Sequence, residues 1–202
     1  MRKYIYLISP KKINEKNFYK KLNNVLKTNK VKYFQLRLKK TSNANLIKIC
    51  KKIKKIVRKN NVKFLINDKP FIAKTVGANG CHIGQKDMNF LISRKILGKN
   101  KIIGVTCHNS KKLALIAKNN GANYVAFGAF FKSSTKKTAF KANMEILRWA
   151  KKKINMPTVA IGGINSSNYN KILLNGADLI ACSSYIWNNK KLDPVSSINK
   201  FK

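Results

Sequence analysis

Two acidic side chains stand where they could hold a metal ion. The chain has 44 lysines and arginines but only six aspartates and glutamates. Two of those six, Asp68 and Asp87, follow two successive predicted strands, at residues 63–67 and 80–83. Hard cations such as Mg²⁺ take oxygen ligands, typically one or two carboxylates together with substrate phosphates. The pair therefore predicts a magnesium site for a diphosphate. The alternative is that each carboxylate only begins a turn or caps a helix.

A second group of polar residues lies on the preceding predicted strand. Gln35, Arg37 and Lys39 alternate with three apolar residues. On a strand this spacing places the polar side chains on one face and the apolar ones on the other. Two cations on an inner face would be costly without an anionic partner, which indicates a diphosphate ligand. The alternative is that only Gln35 lies inside, with Arg37 and Lys39 reaching into solvent.

Two later segments carry groups suited to binding phosphate. Residues 133–136, Ser-Ser-Thr-Lys, offer hydroxyls and one amine after the sixth predicted strand, although a plain flexible loop would have a similar composition. Gly162-Gly163 lie where the seventh predicted strand passes into its loop, and Ser183-Ser184 where the eighth does. Barrels of alternating strands and helices often bind phosphate between these two loops, where glycines allow close backbone approach. A tight turn without a ligand is the alternative there.

Length and composition favour one reduced, cytoplasmic domain. A chain of 202 residues that is 44% hydrophobic can bury a single core, so we predict one domain over residues 1–202. No run approaches the roughly 20 apolar residues of a membrane span, and we interpret the short apolar run near the start as a strand. The four cysteines show no CxxC spacing, which indicates neither a disulfide framework nor a zinc finger.

The net charge of +38 raises the question of nucleic acid, because lysine and arginine neutralise phosphates. The lysine runs at 51–55 and 151–153 fall in predicted helices, as is typical of solvated outer faces. We therefore predict no specific nucleic-acid partner, only polyanion binding at low salt.

The pairs Cys81-His82 and Cys107-His108 can each present one inward ligand, too few for structural zinc. We expect His82 to be packed or hydrogen-bonded.

Eight short apolar runs alternate with helical patterns along the chain. The predicted strands are residues 3–9, 32–38, 63–67, 80–83, 101–107, 124–130, 158–164 and 179–184. This alternation predicts a parallel sheet, and eight even units favour a closed (β/α)8 TIM barrel over a doubly wound open sheet. The polar residues described above, with Asn67 and Thr106, collect at the C-terminal strand ends, where such barrels place their active sites. The sequence therefore predicts an enzyme.

Six segments carry a family resemblance. They are FQLRLK (34–39), FLINDKPFIAKTVGANGCHIGQKDM (64–88), IIGVTCHNS (102–110), GANYVAFGAFFKSSTKKTA (121–139), PTVAIGGI (157–164) and GADLIACSSYIW (176–187). In this order they resemble the thiamine phosphate synthase/thiazole tautomerase family. The resemblance implies that an aminopyrimidine-methyl diphosphate is joined to a phosphorylated hydroxyethylthiazole. Thiamine phosphate and diphosphate would result, by a dissociative displacement assisted by Mg²⁺ and acting on small phosphorylated substrates.

The same resemblance implies a role for each site residue. Mg²⁺ would be held by Asp68 and Asp87, and the diphosphate by Arg37, Lys39, Asn67 and Lys136. The pyrimidine would be contacted by Gln35 and Thr106, and the thiazole partner by Ser133 and Thr135. The phosphate of that partner would lie on Gly162, Gly163, Ser183 and Ser184.

Some positions depart from the family pattern. Leu38 stands where many members carry glutamate, but on the face predicted to point outward. Thr106 and Ser133 each keep a hydroxyl where the family commonly has serine and threonine, respectively. The tautomerase branch carries a histidine in the strand-six segment, whereas residues 128–130 are Gly-Ala-Phe. The synthase is therefore favoured over a tautomerase-like paralogue. The intact set of polar residues at the strand ends weighs against the other alternative, a non-catalytic, polyanion-binding basic barrel. The oligomeric state stays open, a homo-oligomer included.

Overall fold

The computed structural model describes residues 4–132 and 140–202. Eight parallel strands pair in chain order, and the last pairs with the first, so the sheet closes into a barrel. The strands are β1 (Ile5–Ile8), β2 (Val31–Leu36), β3 (Lys63–Asn67), β4 (Gly80–Ile83), β5 (Ile102–His108), β6 (Tyr124–Gly128), β7 (Thr158–Ile161) and β8 (Leu179–Cys182). The predicted (β/α)8 barrel is confirmed.

Helices follow the strands around the outside of the barrel. They are α1 (Glu15–Lys27), α2 (Asn43–Lys59), α3 (Pro70–Thr75), α4 (Phe90–Leu97), α5 (Lys111–Asn119), α6 (Met144–Lys153), α7 (Tyr169–Leu174), α8 (Ser184–Trp187) and α9 (Pro194–Asn199). Several begin at a side-chain cap: Ser42, Ser110 and Asn143 each accept a hydrogen bond from a backbone N–H of the first turn. Such caps satisfy backbone donors that the helix itself cannot pair.

The helices are amphipathic, and their lysines face outward. In α2 the residues at helical spacing, Leu46, Ile49, Ile53 and Val57, are buried against the sheet, while the lysines between them in the 51–55 run are exposed. The lysines at 151–153, at the end of α6, are exposed as well. The structure thus confirms these runs as solvated helix faces. In the part of the chain that the structure describes, no helix is long and apolar enough to span a membrane.

The core has two layers because strand residues alternate between the two faces of the sheet. The outer layer packs strands against helices and includes Phe34, Leu36 and Leu38, as expected for the apolar face of β2. The inner layer fills the barrel with Tyr6, Ile8, Leu65, Tyr124, Ala126, Val159, Leu179 and Ala181. On β2 to β5 the inner-face residues nearer the C-terminal strand ends are polar: Gln35, Asn67, His82 and Thr106.

Five strands end before their predicted ends. β1 ends at Ile8 instead of residue 9, and β2 ends at Leu36 instead of residue 38, so Arg37 and Lys39 follow the strand rather than belong to it. β7 ends at Ile161 instead of residue 164, because Gly162 and Gly163 have φ values of 108° and 62°, outside the range of an extended strand. β6 ends at Gly128 and β8 at Cys182. Apart from Ser184, which begins α8, the residues predicted beyond these strand ends therefore belong to loops at the barrel mouth.

Candidate active site

Five polar residues at the ends of β2, β3 and β4 form one connected group, which we call the carboxylate cluster: Gln35, Lys39, Asn67, Asp68 and Asp87. Gln35 Nε2 donates to Asn67 Oδ1 at 2.8 Å, and Asn67 Nδ2 donates to Asp68 Oδ2. Lys39 Nζ lies 3.0 Å from the same Asp68 oxygen. Neighbouring parallel strands end at the same edge of the barrel, which is why Gln35 and Asn67, 32 positions apart in sequence, meet here.

Asp68 occupies an unusual backbone conformation that aims its side chain at the cluster. Its φ is 60°, a left-handed value that is uncommon for a residue other than glycine. The conformation is held by a bond of 2.8 Å from its backbone N–H to the carbonyl oxygen of His82. The helix-capping alternative is wrong for Asp68, because the N-cap position of α3 is Lys69, without a side-chain cap bond.

Asp87 combines a local turn with the cluster. Its Oδ2 accepts a hydrogen bond of 2.8 Å from the backbone N–H of Gly84, so the turn alternative describes part of its role. It does not cap α4, whose N-cap is Asn89. This turn after β4 places the carboxyl of Asp87 next to that of Asp68.

The carboxylate cluster fits a divalent cation. Burial raises the pKa of Asp68, and the adjacent carboxyl of Asp87 raises it further, against the opposing effect of Lys39. Two neighbouring carboxylates repel each other, and a cation between them removes that cost. Within residues 4–132 and 140–202, no group of three or more His, Cys, Asp or Glu side chains is arranged for a metal. The two adjacent carboxyls of the cluster are the kind of ligand set that suits Mg²⁺, which takes one or two carboxylates and its other oxygens from water or phosphate.

The two cations that follow β2, Arg37 and Lys39, lie at the rim of the barrel. Arg37 is partly buried, and its backbone N–H donates to Ser9 Oγ at 2.9 Å. The Lys39 side chain is 54% exposed, yet it is paired with Asp68. The alternative that both side chains simply extend into solvent therefore does not describe Lys39. Leu38 between them is buried in the outer layer, so its departure from the family pattern lies away from the mouth.

Thr106 and His82 lie on the inner face beside the cluster. His82 Nε2 is 2.8 Å from Thr106 Oγ1, and His82 Nδ1 is 2.9 Å from the Tyr124 hydroxyl. The expectation of a hydrogen-bonded His82 is confirmed. Burial lowers the pKa of His82 to about 4, so the ring is neutral at physiological pH. Gln85 also reaches this site, where its Nε2 donates to the backbone oxygen of Thr106.

The loops after β7 and β8 carry the residues predicted to bind the second phosphate. A side chain on Gly162 would place its Cβ 2.4 Å from the Cβ of Ala129, and one on Gly163 would lie 2.4 Å from the carbonyl oxygen of Lys132. These turns are closed to any larger residue. Ser183 Oγ donates to the carbonyl oxygen of Ser9 at 3.1 Å, which ties β8 to β1. Ser184 begins the short helix α8.

Not every predicted site residue can be placed. Ser133, Thr135 and Lys136 lie outside the described residues, and their roles stay predictions. The sequence interpretation also missed residues that the structure brings to the site, namely Tyr6, Tyr124 and Gln85. The two tyrosines are on the inner face by the same two-residue alternation that identified Gln35, so their position was available in the pattern.

The comparisons with known proteins agree along the whole chain. The family model described as thiamine monophosphate synthase matches residues 5–186. A thiamine-phosphate synthase of Pelagibacter ubique is 56% identical over 201 residues, covering 100% of this chain and 97% of that protein. One from Rhodospirillum centenum is 37% identical, covering 92% of this chain and 89% of its own.

A solved structure extends the agreement to three dimensions. Thiamine phosphate pyrophosphorylase from Pyrococcus furiosus has a TM-score of 0.86 at 26% identity, covering 98% of this chain and 93% of that one. The barrel order, the polar strand ends of β2 to β4 and the paired glycines after β7 thus accompany full-length similarity in both sequence and structure. On this ground, the chain belongs to the thiamine monophosphate synthase family.

Proposed function

We propose that the carboxylate cluster holds Mg²⁺ and the diphosphate of an aminopyrimidine-methyl diphosphate, which this chain joins to a phosphorylated hydroxyethylthiazole. As a member of its family the chain is an enzyme, a transferase of thiamine biosynthesis. The observation that carries the site assignment is the convergence of Lys39, Asn67 and Asp87 on one carboxylate, that of Asp68.

The departing diphosphate gains negative charge as the carbon–oxygen bond breaks. Arg37 and Lys39 at the rim, joined in our proposal by Lys136, would stabilise that charge, and Asn67 would donate to a phosphate oxygen. Groups that are already held in place stabilise developing charge without reorganising, and the bonds among Gln35, Asn67 and Asp68 hold the amide. Mg²⁺ between Asp68 and Asp87 would supply Lewis-acid stabilisation of the same leaving group.

The amino-substituted ring must be oriented while this happens. Gln35 is 2% exposed and donates its Nε2 proton to Asn67, which leaves its amide oxygen as an acceptor. An acceptor at this depth suits the exocyclic amino group of the pyrimidine. That amino group in turn donates electrons into the ring and stabilises a cation at the methylene carbon.

The second substrate would enter from the opposite side of the mouth. In an eight-stranded barrel β7 lies across from β3, so a phosphate on the Gly162-Gly163 and Ser183-Ser184 loops faces the carboxylate cluster. Because Ser183 Oγ already donates to Ser9, we propose that backbone N–H groups bind this phosphate. Ser133 and Thr135 would contact the thiazole. Holding both substrates in facing positions supplies the remaining part of the rate increase.

The reaction itself is tested by incubating the purified protein with both thiamine precursors, with Mg²⁺ or with a chelator. We expect thiamine phosphate, measured after oxidation to fluorescent thiochrome, only when metal and both precursors are present. Isomerisation of the thiazole without metal or the pyrimidine diphosphate would instead identify a tautomerase. No product from correctly folded protein would contradict the proposed transfer.

The basic surface is expected to bind polyanions only through its charge. Binding of a fluorescent 20-base DNA should weaken steeply and linearly on a log–log plot of affinity against salt, because each phosphate contact releases a counterion. At about 0.15 M salt, where charges further apart than about 8 Å are screened, we expect no measurable binding. Affinity that survives at this salt concentration would favour the polyanion-binding alternative.

Two further properties follow as proposals. All four cysteines are free and buried, and burial raises the pKa of the thiols, to about 12 for Cys50, Cys81 and Cys107. Burial makes such thiols unreactive. The cytoplasmic location is proposed because the four cysteines are free rather than paired in disulfides, as is typical of proteins in reducing compartments. A homo-oligomer stays a hypothesis, to be measured by light scattering.

A further inference from the structure

A chain of hydrogen bonds runs through the inside of the barrel. The Tyr6 and Tyr124 hydroxyls are 2.9 Å apart, Tyr124 continues to His82 Nδ1, and His82 Nε2 continues to Thr106 Oγ1. Tyr6 is 2% exposed and Tyr124 is fully buried, whereas Thr106 is partly exposed. The chain therefore connects the closed interior to the mouth. We call it the tyrosine relay.

The number of hydroxyl protons determines which group donates and which accepts in each hydrogen bond of the relay. Each tyrosine hydroxyl carries one proton, and the described residues give these two protons only two contacts, Tyr6 with Tyr124 and Tyr124 with His82 Nδ1. A buried hydroxyl without an acceptor costs about 1–3 kcal/mol. Both protons are accommodated only when Tyr6 donates to Tyr124 and Tyr124 donates to Nδ1. A proton on Nδ1 would leave one hydroxyl without an acceptor.

The direction of the hydrogen bond between Tyr124 and His82 decides the direction of the one between His82 and Thr106. A neutral imidazole that accepts at Nδ1 carries its proton on Nε2, so His82 donates to Thr106 Oγ1. An imidazolium would donate from Nε2 as well, so this result is independent of the charge of His82. A threonine hydroxyl that accepts one hydrogen bond keeps its own proton for another partner. Thr106 is thus a donor toward the mouth.

The barrel makes room for this arrangement at one glycine. Gly104 lies on β5, next to β6, and a Cβ there would lie 1.8 Å from the Tyr124 ring. Only glycine allows the ring to stand inside the barrel at this level. Tyr124 also contacts the rings of Tyr6, Tyr33 and His82. Its hydroxyl is consequently held in place under His82.

We propose that Tyr124 is a positioning residue which, through His82, makes the Thr106 hydroxyl a hydrogen-bond donor that selects a ring nitrogen of the aminopyrimidine. Gln35 offers an acceptor on the same inner face. The Gln35 oxygen would accept from the amino group of the aminopyrimidine, and the Thr106 hydroxyl would donate to the adjacent ring nitrogen. This inference rests on the proposed function in that Thr106 contacts the pyrimidine.

The tautomer of His82 tests the relay without substrate. The sequence has two histidines, so an ¹⁵N spectrum of the imidazoles contains two spin systems, assigned with His108→Gln. We expect the Nε2–H tautomer for His82 in the unmodified protein. Tyr124→Phe removes the donor to Nδ1 and should give a mixture of tautomers. Tyr6→Phe removes an equally buried hydroxyl but leaves the Tyr124 proton with Nδ1, so the tautomer should persist.

Steady-state kinetics tests separately whether the relay affects binding of the pyrimidine diphosphate. Tyr124→Phe should raise KM for the pyrimidine diphosphate about five- to tenfold, the value of one hydrogen bond, with kcat changed less than about twofold. Tyr33→Phe is the matched control, since Tyr33 stacks on Tyr124 and the described structure gives its hydroxyl no hydrogen bond. It should leave KM unchanged.

An Nδ1–H tautomer in the unmodified protein, or an unaltered tautomer in Tyr124→Phe, would overturn the relay. The unmodified protein decides the direction even if Tyr124→Phe fails to fold. The expected tautomers together with no synthase activity would refute the proposed function and leave the relay standing. A KM effect equal in Tyr124→Phe and Tyr33→Phe would show loss of packing and contradict the positioning role.

Discussion

Replacing Asp68 by asparagine should lower kcat/KM about a hundred- to a thousandfold while the barrel stays folded. The substitution keeps the shape of the side chain but removes the charge that Lys39 and the proposed Mg²⁺ share. Electrostatic groups aimed at a developing charge contribute effects of this size. The measurement is steady-state kinetics over a range of Mg²⁺ concentrations, in which the variant should also need more metal.

Asp178→Asn is the matched control for this experiment. The side chains of Asp178 and Asp68 are 23% and 20% exposed, and both form ion pairs with lysines, which include Lys151 for Asp178 and Lys39 for Asp68. Asp178 lies before β8, at the opposite end of the barrel, where it accepts a hydrogen bond from the backbone N–H of Thr158. Its variant should lose thermal stability and keep kcat/KM within about threefold. Similar kinetic losses in both variants would contradict the assignment of Asp68.

A methyl group on Gly163 should raise KM for the thiazole phosphate but not KM for the pyrimidine diphosphate. In Gly163→Ala the added carbon would lie 2.4 Å from the carbonyl oxygen of Lys132, so the turn proposed to bind the thiazole phosphate must shift. We expect KM for the thiazole phosphate to rise about ten- to a hundredfold, as for the loss of one charge-assisted hydrogen bond. KM for the pyrimidine diphosphate should change less than about twofold, because its site lies across the mouth.

Gly77→Ala controls for backbone strain alone. The φ values of Gly77 and Gly163 are 61° and 62°, so alanine is equally strained at both positions. The nearest atom to a Cβ on Gly77 is the Nζ at the end of the flexible Lys54 side chain, which can move away. Gly77→Ala should lower the melting temperature and leave both KM values unchanged. An equal rise of both KM values in Gly163→Ala would point to general damage rather than a phosphate site.

The fold could be predicted because its signals are local. Short apolar runs and helical spacing recur eight times, and the alternation along β2 correctly assigned Phe34 and Leu36 to the outer layer and Gln35 to the inner face. Strand ends were less predictable. The sequence pattern predicted that Gly162 and Gly163 belong to a strand, but their positive φ values turn the chain away from the sheet.

The connections within the site could not be predicted from spacing. Asp68 and Asp87 were found from their charge, but the left-handed φ of Asp68 depends on the carbonyl of His82 across the sheet. The tyrosine relay joins β1, β6, β4 and β5, and such contacts exist only once the barrel has closed. A sequence pattern gives the face of a residue but not its partner.

The most direct test of the account is the position of the metal. A crystal grown with Mn²⁺ and the pyrimidine diphosphate should show one strong anomalous peak within about 2.5 Å of carboxylate oxygens of Asp68 and Asp87, bridged to the diphosphate. The same peak should be absent from crystals of Asp68→Asn. Diphosphate bound by Lys39 and Arg37 with no metal at the two carboxylates would contradict the central claim.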